Sequence, residues 1–277
     1  YPFDVDLTFL MGEVKLEDGK MTPYQVQFSD LFMIVLAVVI LSYLIYVLTK
    51  VKKEEFGKLL VAVLLIIFSA LFWSFFEQGG GSLNYFANGN VAGKGLNMTQ
   101  VNNSLNSLWV VLLAPLVGFL WVWLSKRKAE PNKIVKFGLG FFILGLGFMV
   151  FASSRFSADS NGLTPLWIFI FAYLVVSIGE LCLSPIGLSM ITKLSPKRLT
   201  GMMMGTWFLA SAYGQYGAGL IGAALASSGN SDKNLTNAEK LMQYTEGYQT
   251  IGIISLISGV VLIIISPILR RKMQGVK

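Results

Sequence analysis

The chain has no histidine, one cysteine (Cys182) and little charge: Asp, Glu, Lys and Arg together make up 13% of its 277 residues. Without histidine there is no imidazole for acid–base chemistry, no Ser–His nucleophile pair and no HExxH zinc motif. A single thiol rules out an intrachain disulfide framework and any cysteine or histidine metal site. The phosphate-cradling pattern GxxxxGK[ST] is absent. No aspartate lies in the interior of any long apolar run, which argues against a paired-aspartate intramembrane protease. Barrel strands of alternating polarity are not seen. These absences predict a chain that is not an enzyme and holds no metal or cofactor.

Apolar residues are abundant. They make up 54% of the chain, and the mean hydropathy is +0.64, far above what a soluble domain of this length needs. A helical membrane span takes about 20 mostly apolar residues. Seven candidate runs lie near 30–49, 58–78, 107–124, 134–152, 165–191, 199–226 and 248–269. The sequence predicts an all-α integral membrane protein preceded by an extramembrane linker or small hairpin over 1–28. Because it starts at Tyr1, with no Met or signal peptide, the chain reads as part of a larger protein.

The net charge of +7 is distributed as membrane topology rather than as a nucleic-acid surface. Strict alternation of the loops puts 16 of the 22 Lys and Arg residues on one side, in clusters at 50–58, 126–136, 193–198 and 270–277. Cationic loops of multi-pass proteins face the cytoplasm. The expectation is a plasma-membrane (inner-membrane) protein with a cytoplasmic C-terminus and residues 1–28 outside. Anionic lipid is a secondary reading of the same clusters.

Against this background two glutamates stand out, Glu77 in FWSFFEQGGGSL and Glu180 in IGELCLSPIGLS, the only acids inside the long apolar runs. An ionised carboxylate at membrane depth costs about +2.5 to +3.5 kcal/mol on insertion scales, so such acids face wet cavities, cations or proton paths. Glu180 lies about 22 Å along its run from Pro165 and is followed by Ser184, Pro185 and Gly187, a pattern suggesting a site beside a proline break near the midplane. Glu77 shares a helical face with Trp73 and precedes the flexible run GGGS. The competing readings are a helix-end acid at the outer surface for Glu77 and a satisfied structural acid for Glu180. Asn103 and Asn106 begin the third run, where a structural role for Asn106, as helix cap or interhelical bond, competes with a site role, and Pro115 predicts a kink near Leu112.

Small residues mark helix contacts. Gly138, Gly140, Gly145 and Gly147 form two pairs seven residues apart, while Gly201, Gly205, Ala210, Gly214, Ala218 and Gly222 predict one tight ridge. Trp207 on that run reads as an interface anchor or a site residue, and Cys182 as core. The first run, from Asp30 at its outer edge, reads as a lipid-facing helix without a site, and the last as structural. A purely structural subunit would not need two buried carboxylates, so transport is the strongest reading.

The runs FWSFFEQGGGSLNYFA, NNSLNSLWVVLLAPLVGFLW and GELCLSPIGLSMITKLSPKRLTGMMMGTWFLASAYG resemble, in order and spacing, the C-terminal half of the proton-dependent oligopeptide transporters, a branch of the major facilitator superfamily. The resemblance implies an inserted membrane helix over 29–52 and a six-helix transport bundle over 53–277, helices seven to twelve of a twelve-helix protein. It further implies Glu180 and Asn106 as binding the amino end of a di- or tripeptide, Glu77 as the proton-coupling and gating acid, and Trp73 and Trp207 as pocket aromatics. Glu180 also belongs to the coupling set. The proton is the coupling ion, and the partners are the peptide, the bilayer and the absent N-terminal half. That half would carry the ExxER motif and the lysine that this chain lacks. NNSLNS stands where the family has QSxNP, so the local proline kink is missing. Other cargo on the same scaffold, such as a modified peptide, a nitrate-like anion or a drug, is the alternative, though two buried carboxylates argue against a simple anion.

Overall fold

A computed structural model describes residues 13–15, 21–23, 28–230 and 235–273; most of the expected linker 1–28, part of the loop at 227–247 and the last four residues lie outside the described residues. Within 1–28 the described part is an antiparallel pair, β1 (Glu13–Lys15) and β2 (Met21–Pro23). Helices follow: α1 (Phe28–Lys50), α2 (Lys53–Phe76), α3 (Ser82–Asn90), α4 (Met98–Lys126), α5 (Lys133–Ser153), α6 (Leu166–Leu194), α7 (Thr200–Asn230) and α8 (Asn237–Lys272). Among the described residues, six helical segments are long and apolar enough to cross a membrane. These segments match six of the seven expected runs. The seventh run is α7, a helix of 31 residues whose glycines, serines, Gln215 and tyrosines dilute its hydropathy.

Local chemistry sets several boundaries. Asn97 caps α4 by accepting from the backbone N–H of Gln100 at 3.2 Å, and Asn132 caps α5 by accepting from Val135 at 3.0 Å. Thr236 and Glu239 form a reciprocal capping box that starts α8 eleven residues before the expected position. Between α4 and α5, Glu130 pairs with Lys136. Hydrogen bonds from Lys136, and then from Ser125, hold the Glu130 carboxyl below the usual carboxylate range. The stabilisation from this pair is therefore complete at neutral pH and fades only as pH falls through the lowered value. Being half exposed, it contributes little.

The core of the bundle is α5, packed on one side against α8 and on the other against α6. Its paired glycines divide between the two faces. A Cβ on Gly138 would lie 3.0 Å from the Gly259 carbonyl, and one on Gly145 2.8 Å from that of Gly252, both on α8. On the opposite face, Gly140 would meet the Gly179 carbonyl at 3.0 Å and Gly147 the Val176 side chain at 2.5 Å, both on α6. The seven-residue repeat is therefore two strips of backbone-to-backbone contact. The small-residue ridge on α7 is only partly used. Gly214 packs on Trp73 and Ala70 of α2, and Gly222 faces Gly81 and Ser82, whereas Gly201 and Gly205 face open space. α2 runs alongside α7 from the Glu55–Arg198 ion pair onward, so Gly201 and Gly205 lie on a face of α7 turned away from it.

Two expectations about helix breaks are corrected. The glycine run after Glu77 is ordered as a 3-10 turn, Glu77–Gly80, leading into α3, which buries Leu83, Phe86 and Ala87 on one face. Pro185 does not break its helix, since α6 runs unbroken from Leu166 to Leu194. Pro185 removes one backbone bond, and the packing of its flanking turns, with Cys182, Leu183 and Gly187 buried, outweighs that loss.

α1 lies at the edge, with Phe32, Val35, Val38 and Val39 exposed, as expected of a lipid-facing helix. Asp30, however, is 3% exposed rather than at a wet edge, because it accepts a 2.6 Å bond from the Tyr216 hydroxyl of α7. Tyr213 adds a 2.7 Å bond to the carbonyl of Met33.

Candidate functional site

Glu180 is the central residue of α6, fourteen positions from either end of the helix. Its Oε2 accepts a 3.2 Å hydrogen bond from Nδ2 of Asn106 on α4. The Asn106 Oδ1 accepts in turn from the Ser177 hydroxyl at 2.8 Å. Both faces of the Asn106 amide are thus spent on interhelical bonds to α6.

Glu77 is the C-cap of α2; its backbone N–H donates to the Trp73 carbonyl, and its backbone angles depart from the helix. The side chain is half-buried and opens into a cavity of about 300 Å³ that is also lined by Asn102, Asn103, Asn106 and Tyr173. Gln215 of α7 lies beside the carboxylate. The outer-surface reading of Glu77 is therefore replaced by a cleft position. Glu180 is not on the cavity wall and meets it through Asn106.

Neither expected pocket tryptophan is on the cavity wall, and the two are placed differently. Trp73 is half-buried among Phe72, Phe76 and Gly214, and its indole N–H is buried without a hydrogen-bond partner among the described residues. Trp207 does not reach the cavity. It is 5% exposed, edge-on to Phe137, and so close to α6 that a Cβ on Gly187 would sit 2.1 Å from its ring. Cys182 is buried, as expected of a core thiol.

Sequence reasoning missed three polar residues. Asn102, 2% exposed, donates to the Gly79 carbonyl at 2.7 Å and accepts from the Tyr173 hydroxyl at 2.5 Å. Gln78, fully buried, donates to the Ala218 carbonyl at 3.2 Å and accepts from Ser82 at 2.8 Å, pinning the turn after Glu77 to α7. Asn102 was legible as the neighbour of Asn103, one helical turn before Asn106; Tyr173 carried no signal among the other aromatics.

The site holds two acids, the side-chain amides of Asn102, Asn103, Asn106 and Gln215, and no cation among its described residues, so it is built to face a positively charged or proton-exchanging group. No group of His, Cys, Asp and Glu able to hold a metal ion occurs among the described residues.

The sequence profile of the POT family matches residues 13–242. The chain is 37% identical over 215 residues to Peptide transporter YePEPT of Yersinia enterocolitica subsp. palearctica serotype O:3, an alignment covering 75% of this chain and 42% of that protein. It is 33% identical over 252 residues to Dipeptide and tripeptide permease B of Salmonella typhimurium, covering 90% of this chain and 51% of that one. Among solved structures, the peptide transporter POT in complex with sulfate superposes with a TM-score of 0.74 at 29% identity, over 90% of this chain and 49% of the other. A mutant of the same transporter in complex with alafosfalin gives 0.74 at 30% identity, with the same coverage. The chain spans about half the length of the curated relatives it matches.

Proposed function

Because the chain belongs to the POT family, we propose that it is the C-terminal half of a proton-coupled symporter that imports di- and tripeptides by alternating access. The observation that carries this reading is the Asn106–Glu180 pair at the middle of α6, beside a cavity that also holds Glu77. A peptide is a zwitterion, and the described site residues supply an anionic pole for its ammonium; the cationic pole for its carboxylate belongs to the N-terminal half. Names of the relatives point to the same cargo. Residues 53–277 form the transport bundle, 29–52 an inserted helix and 1–28 an extramembrane linker.

In this reading Glu180 and Asn106 hold the amino end of the peptide, and Glu77 exchanges the coupling proton at the mouth of the cleft. Trp73 packs one helical turn before Glu77 on α2, and Trp207 acts on the pocket indirectly by packing α6. No resident cofactor is needed. The distribution of basic loops supports the inner membrane with a cytoplasmic C-terminus, and the two halves rock about a site near the midplane.

The test is uptake of labelled dialanine by proteoliposomes holding the full-length protein, driven by an inward proton gradient and challenged with excess unlabelled tripeptide. Competed, gradient-dependent accumulation is the expected result; no uptake by folded protein would move the cargo elsewhere. Glu77→Gln is expected to keep dialanine exchange while losing pH-driven concentration. A variant that still concentrates peptide normally would remove Glu77 from the coupling role.

A further inference from the structure

Two hydrogen-bonded rungs, one helical turn apart on both α4 and α6, join the turn that carries Glu77 to Glu180. In the first rung the Tyr173 hydroxyl donates to Asn102 Oδ1 at 2.5 Å, and Asn102 Nδ2 donates to the Gly79 carbonyl at 2.7 Å. Gly79 stands two residues after Glu77 in the same 3-10 turn. The fit is close, since a Cβ on Gly79 would lie 3.2 Å from the Tyr173 oxygen. In the second rung the Ser177 hydroxyl donates to Asn106 Oδ1 at 2.8 Å, and Asn106 Nδ2 reaches Glu180. Asn102, Tyr173 and Ser177 are 2%, 4% and 0% exposed, so their bonds are largely shielded from bulk water.

Ser177 also joins the rungs. It has one proton and two acceptors at 2.8 Å, Asn106 Oδ1 and the carbonyl of Tyr173 itself. A shift of Asn106 toward a ligand on Glu180 frees that proton for the Tyr173 carbonyl, so a change at one carboxylate is felt where the other is anchored.

We propose that Tyr173 and Asn102 are positioning residues for Glu77, and Ser177 for Glu180 through Asn106, so that this ladder sets the separation of the proton-exchanging acid from the amine-binding acid. The inference deepens the peptide-symport reading above and rests on it. Removing one buried hydrogen bond from such a ladder changes an equilibrium by about tenfold.

The experiment compares wild type, Tyr173→Phe, Ser177→Ala and Ser177→Thr in proteoliposomes, with dialanine exchange and gradient-driven accumulation measured on each. Tyr173→Phe is expected to lose about tenfold in accumulation and clearly less than that in exchange. Ser177→Ala is expected to raise KM about tenfold at near-constant kcat, with Ser177→Thr restoring it. Equal loss in both measurements, or none in either, would overturn the ladder. Wild type that fails to exchange dialanine would instead count against the peptide reading. A double-mutant cycle on thermal stability between Tyr173→Phe and Asn102→Ala tests the first rung without any cargo. Non-additive effects are expected, and additive ones would overturn it.

Discussion

Replacing Glu180 with Gln is expected to abolish peptide uptake while leaving the fold intact. Gln is nearly isosteric with Glu, and its carbonyl still accepts the bond from Asn106. What disappears is the negative charge opposite the peptide ammonium. Removing one partner of a desolvated charge pair costs about 2–5 kcal/mol, a factor of roughly 30 to several thousand in affinity. The check is kcat/KM for dialanine in proteoliposomes, paired with a melting curve. Thermal stability equal to wild type with uptake down at least about 30-fold fits the assignment. Uptake within a fewfold of wild type would mean that the ammonium is held elsewhere.

Gly145→Ala is expected to produce the largest loss of stability of any single methyl addition in the α5 core. The new Cβ would sit 2.8 Å from the Gly252 carbonyl, and also 2.8 Å from the Leu256 backbone nitrogen. Both are backbone atoms, so neither can swing aside, and α8 must move away along its length. Overpacking of this kind costs about 1–3 kcal/mol, more where several contacts open together. Gly205→Ala on α7 is the control, because nothing lies within 4 Å of its added Cβ. Detergent-solubilised protein should melt several degrees lower for the first variant and unchanged or slightly higher for the second. Equal melting of the two would mean that the α5–α8 contact is looser than these distances.

What the sequence revealed, and what it hid, follows from how far each interaction reaches along the chain. The acids at 77 and 180 stood out because a charge in an apolar run is conspicuous without any knowledge of neighbours. The glycine pairs of α5 were legible for the same reason, since a seven-residue period needs only the helix itself; their division between α6 and α8 did not follow from the period. The ridge on α7 shows the limit of such patterns, because Gly201 and Gly205 continue its spacing yet touch nothing. Two breaks inferred from local chemistry proved to be ordered helix or turn, at Pro185 and in the glycine run after Glu77, because packing outweighs a single lost bond. The bond between Tyr173 and Asn102 spans 71 positions, and neither residue announces the other. Trp207 illustrates the reverse case, in which motif position suggested a pocket wall while Gly187 offered a socket in the helix packing.

The helices of this bundle are fastened in two different ways. α5, α6 and α8 are locked together by glycine contacts in which backbones touch, so none of them can slide without prising open its neighbours. α4 has no such seat. Its single internal glycine, Gly118, touches nothing, and its most apolar stretch exposes Val111, Leu116 and Phe119. It is held to α6 by the side chains of Asn102, Asn106 and Trp109, the last donating to the Ile170 carbonyl at 3.2 Å. Bonds of that kind can be exchanged one for one with bonds to a guest. An ammonium that takes the place of Asn106 at Glu180 thereby also undoes one of the clasps that hold α4 to α6.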